Sequence, residues 1–70
     1  MREPYEAQEL EFLDVRDENG RPARMGAGYV EDGGVVLQQD APVVHLSQYE
    51  AAKVLGLVRA KSAAARDYRP

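Results

Sequence analysis

One segment near the C-terminus has the composition of a long α-helix, and it restricts the fold more than any other part of the chain. Ser47 and Glu50 have the spacing of a capping box, in which each side chain accepts a hydrogen bond from a free backbone N–H at the helix start. Alanine, leucine, lysine and arginine follow, and Arg59, Lys61 and Arg66 lie toward the C-terminal end, where the helix dipole favours cations. The sequence therefore predicts a helix over residues 47–66.

Size and the absence of cysteine limit how such a chain can be stabilised. A single domain of 70 residues has a small core, which supplies only about 3–5 kcal/mol of net stability. Neither a disulfide nor a thiolate-bound metal can add to it, because the chain has no cysteine. Self-association is the remaining source of stability, and we expect a homodimer.

The residues before the helix alternate between short apolar runs and turn signals, which predicts an antiparallel sheet. Asn19-Gly20 between two such runs is typical of a β-hairpin, and Pro42 marks a bend or a strand edge. The predicted strands cover residues 8–16, 21–31, 35–39 and 43–46. The predicted fold is α+β: one domain over residues 1–70, with a charged lead-in (1–7), a β-meander of three to four strands (8–46), a C-terminal helix packed on one face (47–66) and a tail (67–70).

Two features of the predicted sheet indicate local irregularity. Strict alternation of apolar residues slips between Phe12 and Leu13, which predicts either a bulge there or a strand covered on both faces. Gly26 and Gly28 lie on one face of the second strand, where glycine marks a bulge or the close approach of another group.

The predicted helix carries an apolar stripe that is expected to face the core. At about 100° per residue, its members share one side of the helix, and we expect them to pack on Leu10, Phe12, Val35 or Leu37. The stripe consists of Ala51, Val54, Leu55, Val58, Ser62 and Ala65.

A second helix face consists of small residues beside one tyrosine. Because Gly56 inside a helix costs about 1 kcal/mol relative to alanine, a compensating contact is expected. One interpretation is a groove that lets the same helix of a second copy approach closely, giving a twofold homodimer. The other is that the alanines favour the helix and the glycine is merely tolerated. The predicted dimer or partner interface is Tyr49, Ala52, Gly56, Ala60 and Ala64.

Residues 46–57 also resemble the first helix and turn of excisionase and MerR-type helix-turn-helix proteins. The resemblance lies in Glu50-Ala51-Ala52 followed by Leu55-Gly56-Leu57. It implies that Gly56 makes a turn and that a second helix begins near Val58 and enters a DNA major groove.

The charge distribution is compatible with this nucleic-acid alternative. Residues 1–56 carry a net charge of −6, whereas residues 57–70 carry +3. A basic segment of this kind either matches the helix dipole or contacts a polyanion. The alternative nucleic-acid contacts are Arg59, Lys61, Arg66 and Arg69.

The sequence does not predict an enzyme, a metal site or a cofactor site. It has one histidine, His45, and two serines, of which Ser47 is expected to cap the helix. The acidic pairs Glu9/Glu11 and Glu31/Asp32 are typical of a solvated surface, which we expect to form a second contact side. Ligand spacing for a metal is not recognisable.

The remaining expectations concern location and role. Without an apolar run long enough for a signal peptide or a membrane span, the chain is expected to be cytoplasmic. Its use of arginine over lysine suits a GC-rich bacterium or a phage. We expect a small homodimeric accessory or inhibitor protein that binds another protein, with a nucleic-acid-binding regulator as the alternative.

Overall fold

The computed structural model describes residues 6–31 and 33–67 as one four-stranded antiparallel sheet with a C-terminal helix. The elements are β1 (Gln8–Asp17), β2 (Pro22–Tyr29), β3 (Val35–Gln39), β4 (Val44–His45) and α1 (Gln48–Asp67). The strand order is β3-β2-β1-β4, so the predicted α+β fold is confirmed. The predicted lead-in and tail lie mostly outside the described residues.

The fourth strand returns across the sheet to the far edge of β1. It is only two residues long, and it pairs His45 with Arg16 and Val44 with Asp17. The chain then turns directly into α1, which packs mainly over β2 and also reaches β3 and β1.

The predicted turn at Asn19-Gly20 is present and connects β1 to β2. Gly20 has a φ of 77°, which glycine adopts without strain. The Asp17 carboxylate accepts hydrogen bonds from the Asn19 and Arg21 backbone N–H groups, at 2.8 and 2.9 Å. The Asp17 side chain therefore stabilises the turn by accepting hydrogen bonds from its backbone.

A bulge interrupts β1, but it lies nearer the N-terminus than the sequence indicates. The register with β2 shifts between Gln8 and Glu11, and Glu9 has a φ of 48°. Gly28 lies opposite: a Cβ there would come within 2.8 Å of the Gln8 carbonyl oxygen. Of the two interpretations at Phe12–Leu13, the bulge is therefore wrong, since the register with β2 is continuous there.

The two faces of the sheet differ sharply. The helix lies on the face of Glu11, which forms an ion pair with Lys61 of α1. Phe12 lies on the opposite face, 41% exposed, and its ring covers Gly26 so closely that a Cβ there would meet ring carbons at 2.7 Å. Phe12 is thus not the helix-packing residue that the sequence predicts.

The helix runs unbroken through Gly56 from Gln48 to Asp67. Its capping box is formed: the Ser47 N–H donates to Glu50 Oε1 at 2.8 Å, and the Glu50 N–H donates to Ser47 Oγ at 3.1 Å. The turn at Gly56 and the second helix from Val58, which the helix-turn-helix resemblance implies, are therefore absent from this fold.

The core beneath the helix is thin. Its buried apolar side chains among the described residues are Val15, Ala23, Ala27, Tyr29 and Ala65. The helix direction that faces the sheet runs through Val54, Val58, Lys61 and Ala65, whereas the predicted core residue Leu55 is 59% exposed. Leu37, another predicted core residue, is 54% exposed at the edge strand β3.

Candidate interaction site

The predicted small-residue interface lies on the side of α1 that faces away from the sheet. Because Val54, Val58, Lys61 and Ala65 point toward the sheet, helical periodicity directs Ala52 and Gly56 outward. Tyr49 is 70% exposed. We name this surface the outer face of α1. Its other members follow the same pattern, with Ala60 exposed and Ala64 half-buried.

Gly56 has no packing role within its own chain. A Cβ built at this position meets no atom within 4 Å. Alanine would therefore fit, and it would favour the helix by about 1 kcal/mol. Nothing in the described fold of a single copy requires glycine here.

Two large apolar side chains lie beside the small residues of the outer face. Tyr49 lies at its N-terminal end, where the Lys53 ammonium lies 4.6 Å from the centre of its ring. Leu55, which is 59% exposed, lies to one side. The small side chains between them leave the helix backbone accessible, which permits the close approach of another helix.

A second concave surface lies between the start of α1 and the outer edge of β1. This groove has a volume of about 590 Å³. Both its strand side and its helix side include charged residues beside apolar ones. The lining residues are Phe12, Leu13, Asp14, Val15, Arg16, Ser47, Tyr49, Glu50 and Lys53.

Sequence reasoning missed this groove because it joins two distant segments. Residues 12–16 meet residues 47–53 only because β4 crosses back to β1, and no local signal specifies that crossing. Phe12 borders this groove although its ring lies on the other face of the sheet, where the Arg24 guanidinium carbon is 4.4 Å from the ring centre.

The predicted nucleic-acid contacts do not form one surface. Arg59 and Arg66 are exposed on α1, whereas Lys61 is 3% exposed, and its Nζ donates to Glu11 Oε1 at 2.9 Å. A buried, paired ammonium is not available to a phosphate. Arg69 lies outside the described residues.

The acidic side predicted around the sheet is partly neutralised. Glu9 accepts a hydrogen bond from the Tyr29 hydroxyl at 2.9 Å, and Glu11 is paired with Lys61. Glu31 is exposed, and Asp32 lies outside the described residues. The carboxylates of Glu9 and Glu11 therefore connect β1 to β2 and α1, and they are not simply solvated surface charges.

The capping carboxylate is the group with the clearest electrostatic perturbation. The hydrogen bond from the Ser47 backbone N–H, together with one from the Ser47 side chain, lowers the pKa of Glu50. Arg16 and His45 act in the same direction through Coulomb attraction. Glu50 is therefore held ionised at the positive end of the helix dipole.

Within residues 6–31 and 33–67, no group of three or more His, Asp and Glu side chains could hold a metal ion. No helix in the described part of the chain combines the length and the apolarity needed to cross a bilayer.

Comparison of the chain with protein-family models, curated proteins and solved structures finds no match. Function is therefore inferred from residue chemistry and geometry alone.

Proposed function

We propose that this protein is a non-enzymatic protein–protein interaction module that self-associates through the outer face of α1. The single observation that carries the proposal is the unbroken helix with Gly56 at its exposed side, where no group of its own chain comes near the missing side chain. An accessory or inhibitory role toward another protein, in the cytoplasm of a bacterium or of a phage host, fits this size and chemistry.

The outer face has the composition of a close helix–helix contact. Small side chains let two helix backbones approach closely. The methyl groups of Ala52 and Ala60 would then contact the second helix instead of water. Because the partner is a second copy, the same residues meet across a twofold axis, which makes the contact self-complementary. The exposed Tyr49 ring lies at the margin of this contact and can cover it.

The thin core gives a reason for association. Of the five buried apolar side chains in the described residues, three are alanines, which bury little area each. Burial of apolar surface contributes about 25 cal/mol per Å². A second helix on the outer face would add apolar burial that the single copy lacks.

The proposal is tested by placing a charge at the centre of the outer face. Ala60→Glu is expected to halve the mass of the assembly measured by light scattering, since the carboxylate would have to be buried without a partner. Gln38→Glu is the matched control, because it adds the same charge at an exposed position on β3.

Two results would contradict the proposal: a wild-type chain that is a single copy at all concentrations, or an Ala60→Glu variant with the mass of the Gln38→Glu control. Far-UV circular dichroism confirms that both variants are folded.

A further inference from the structure

The outer edge of β1 is open along most of its length. β4 pairs only with Arg16 and Asp17. From Gln8 to Val15, no described residue pairs with this edge, although β1 itself is 10 residues long. The open edge also forms one wall of the groove that Leu13 and Val15 line beneath the start of α1.

Backbone groups of alternate residues point out of this edge. The Asp17 N–H donates to the Arg21 carbonyl, so in β1 the odd-numbered residues from Glu11 onward bond to β2. The N–H and C=O groups of Phe12 and Asp14 therefore face outward. Natural edges are usually protected by lysine, proline or a bulge. Here the bulge at Glu9 and the carboxylates of Glu11 and Asp14 are present, but residues 10–15 contain neither lysine nor proline.

We infer that this edge pairs, antiparallel, with the same edge of a second copy, about a twofold axis at Leu13. The two Leu13 side chains then lie opposite each other on the helix side of the joined sheet. Phe12 lies opposite the second copy's Asp14, and Glu11 lies opposite the second copy's Val15. The strands can pair over residues 11–15 of both copies before β4 at Arg16 blocks the edge.

Charge complementarity favours this register and this occupant. Arg24 lies over the ring of Phe12, the residue that faces the second copy's Asp14 in this register, and it is also the cross-strand neighbour of its own chain's Asp14. An axis at Asp14 would instead place two carboxylates directly opposite each other. The groove rim carries acidic and basic side chains together, as a surface that binds itself requires.

The strand contact is independent of the outer face of α1. In the joined sheet, β2 of one copy and β2 of the other are three strand spacings apart, about 14 Å. Helices over those strands are farther apart than the 8–10 Å of packed helices. Their outer faces therefore stay free for the helix contact, and the two contacts close an assembly of four copies when their twofold axes intersect at right angles.

The strand contact is tested in the Ala60→Glu background, where the helix contact is disrupted. Ala60→Glu is expected to be a dimer by light scattering, and Ala60→Glu with Asp14→Pro a monomer, because proline removes the outward N–H. Asp14→Ala is the matched control, since it keeps that N–H, and it should stay dimeric. An Ala60→Glu variant that is already monomeric would overturn the inference. If instead Asp14→Pro alone is monomeric, the helix contact has failed and the strand contact stands.

A cysteine pair gives a second readout that does not depend on the folding of the proline variant. Leu13→Cys places two thiols opposite each other across the axis, at the Cα separation of about 4.5 Å of a non-hydrogen-bonded pair, within disulfide range. Mild oxidation is expected to link this variant into dimers. Leu37→Cys is the control, because it is more exposed but lies on the opposite edge strand. Equal linkage of the two variants, or none in Leu13→Cys, would overturn the inference.

Discussion

At the residue scale, the two glycines of β2 have distinct structural causes. Gly28 lies against backbone, since an added Cβ would meet the Gln8 carbonyl oxygen at 2.8 Å. Gly26 lies mainly against the Phe12 ring, a side chain that can shift, although the Glu11 carbonyl oxygen would also lie 3.1 Å from an added Cβ. The backbone at the bulge cannot move as easily as a side chain. Gly28 is therefore expected to tolerate a larger residue less well than Gly26.

Gly28→Ala is expected to lower the free energy of unfolding by about 1–3 kcal/mol, the range for overpacking a fitted site. Gly26→Ala should cost less. Thermal unfolding of both variants measures the difference. A Gly28→Ala variant as stable as the wild type would show that the bulge at Glu9 does not press on β2.

Lys61 is a buried cation whose charge is satisfied from the sheet. Its side chain is 4% exposed, whereas that of its partner Glu11 is 64% exposed. Glu11→Ala is expected to destabilise the fold by about 1–3 kcal/mol, because it leaves a buried ammonium without its acceptor. Adding Lys61→Met should recover most of that loss, since methionine fills a similar volume without a charge.

Chemical denaturation of the two single variants and the double variant gives the coupling between Lys61 and Glu11. If Glu11→Ala is neutral, or if Lys61→Met fails to restore stability in its presence, the ion pair does not hold α1 on β1.

At the element scale, the helix start couples stability to pH. Hydrogen bonds from Ser47 lower the pKa of Glu50 in the folded chain below its ordinary value of 4.5. The stabilisation is therefore fully present above that value and is lost as the pH falls through the lowered pKa. We expect the unfolding midpoint of the wild type to fall with acidification below about pH 4.5 more steeply than that of Glu50→Gln.

Thermal melts at a series of acidic pH values make this comparison. Glu31→Gln is a control on an exposed acidic residue outside the helix start. Parallel curves for the wild type and Glu50→Gln would exclude the capping carboxylate as a source of the acid sensitivity.

Elements were predictable where their chemistry is local. The capping box and the composition that follows define α1 almost to the residue, and Asn19-Gly20 defines the first turn. The phase of α1 was not predictable in the same way. Apolarity alone predicts that Leu55 faces the sheet and that Lys61 faces solvent. In the structure Lys61 faces the sheet, where it pairs with Glu11, and Leu55 is exposed.

Contacts between distant segments account for the other differences. The bulge at Glu9 depends on the Tyr29 hydroxyl and on Gly28, both 19 or 20 residues further along the chain. The outer face of α1 was predictable, because helical spacing alone assembles it. The groove beside β1 was not, since it exists only once β4 has crossed the sheet.

At the scale of the whole molecule, the chain forms a sheet with one helix over one face and little buried between them. The Phe12 side of the sheet, the open edge of β1 and the outer face of α1 remain exposed in a single copy. The two contacts proposed for the last two surfaces differ in direction: one would extend the sheet, and the other would stack helix on helix. Association of this kind would add the apolar burial that the core of a single copy does not provide.

Multi-angle light scattering of the wild-type protein over a range of concentrations tests the proposed self-association. With both contacts formed about perpendicular axes, the protein is expected to have the mass of four copies of the 7.8 kDa chain. The mass of a single copy at every concentration would contradict the proposal that this protein self-associates.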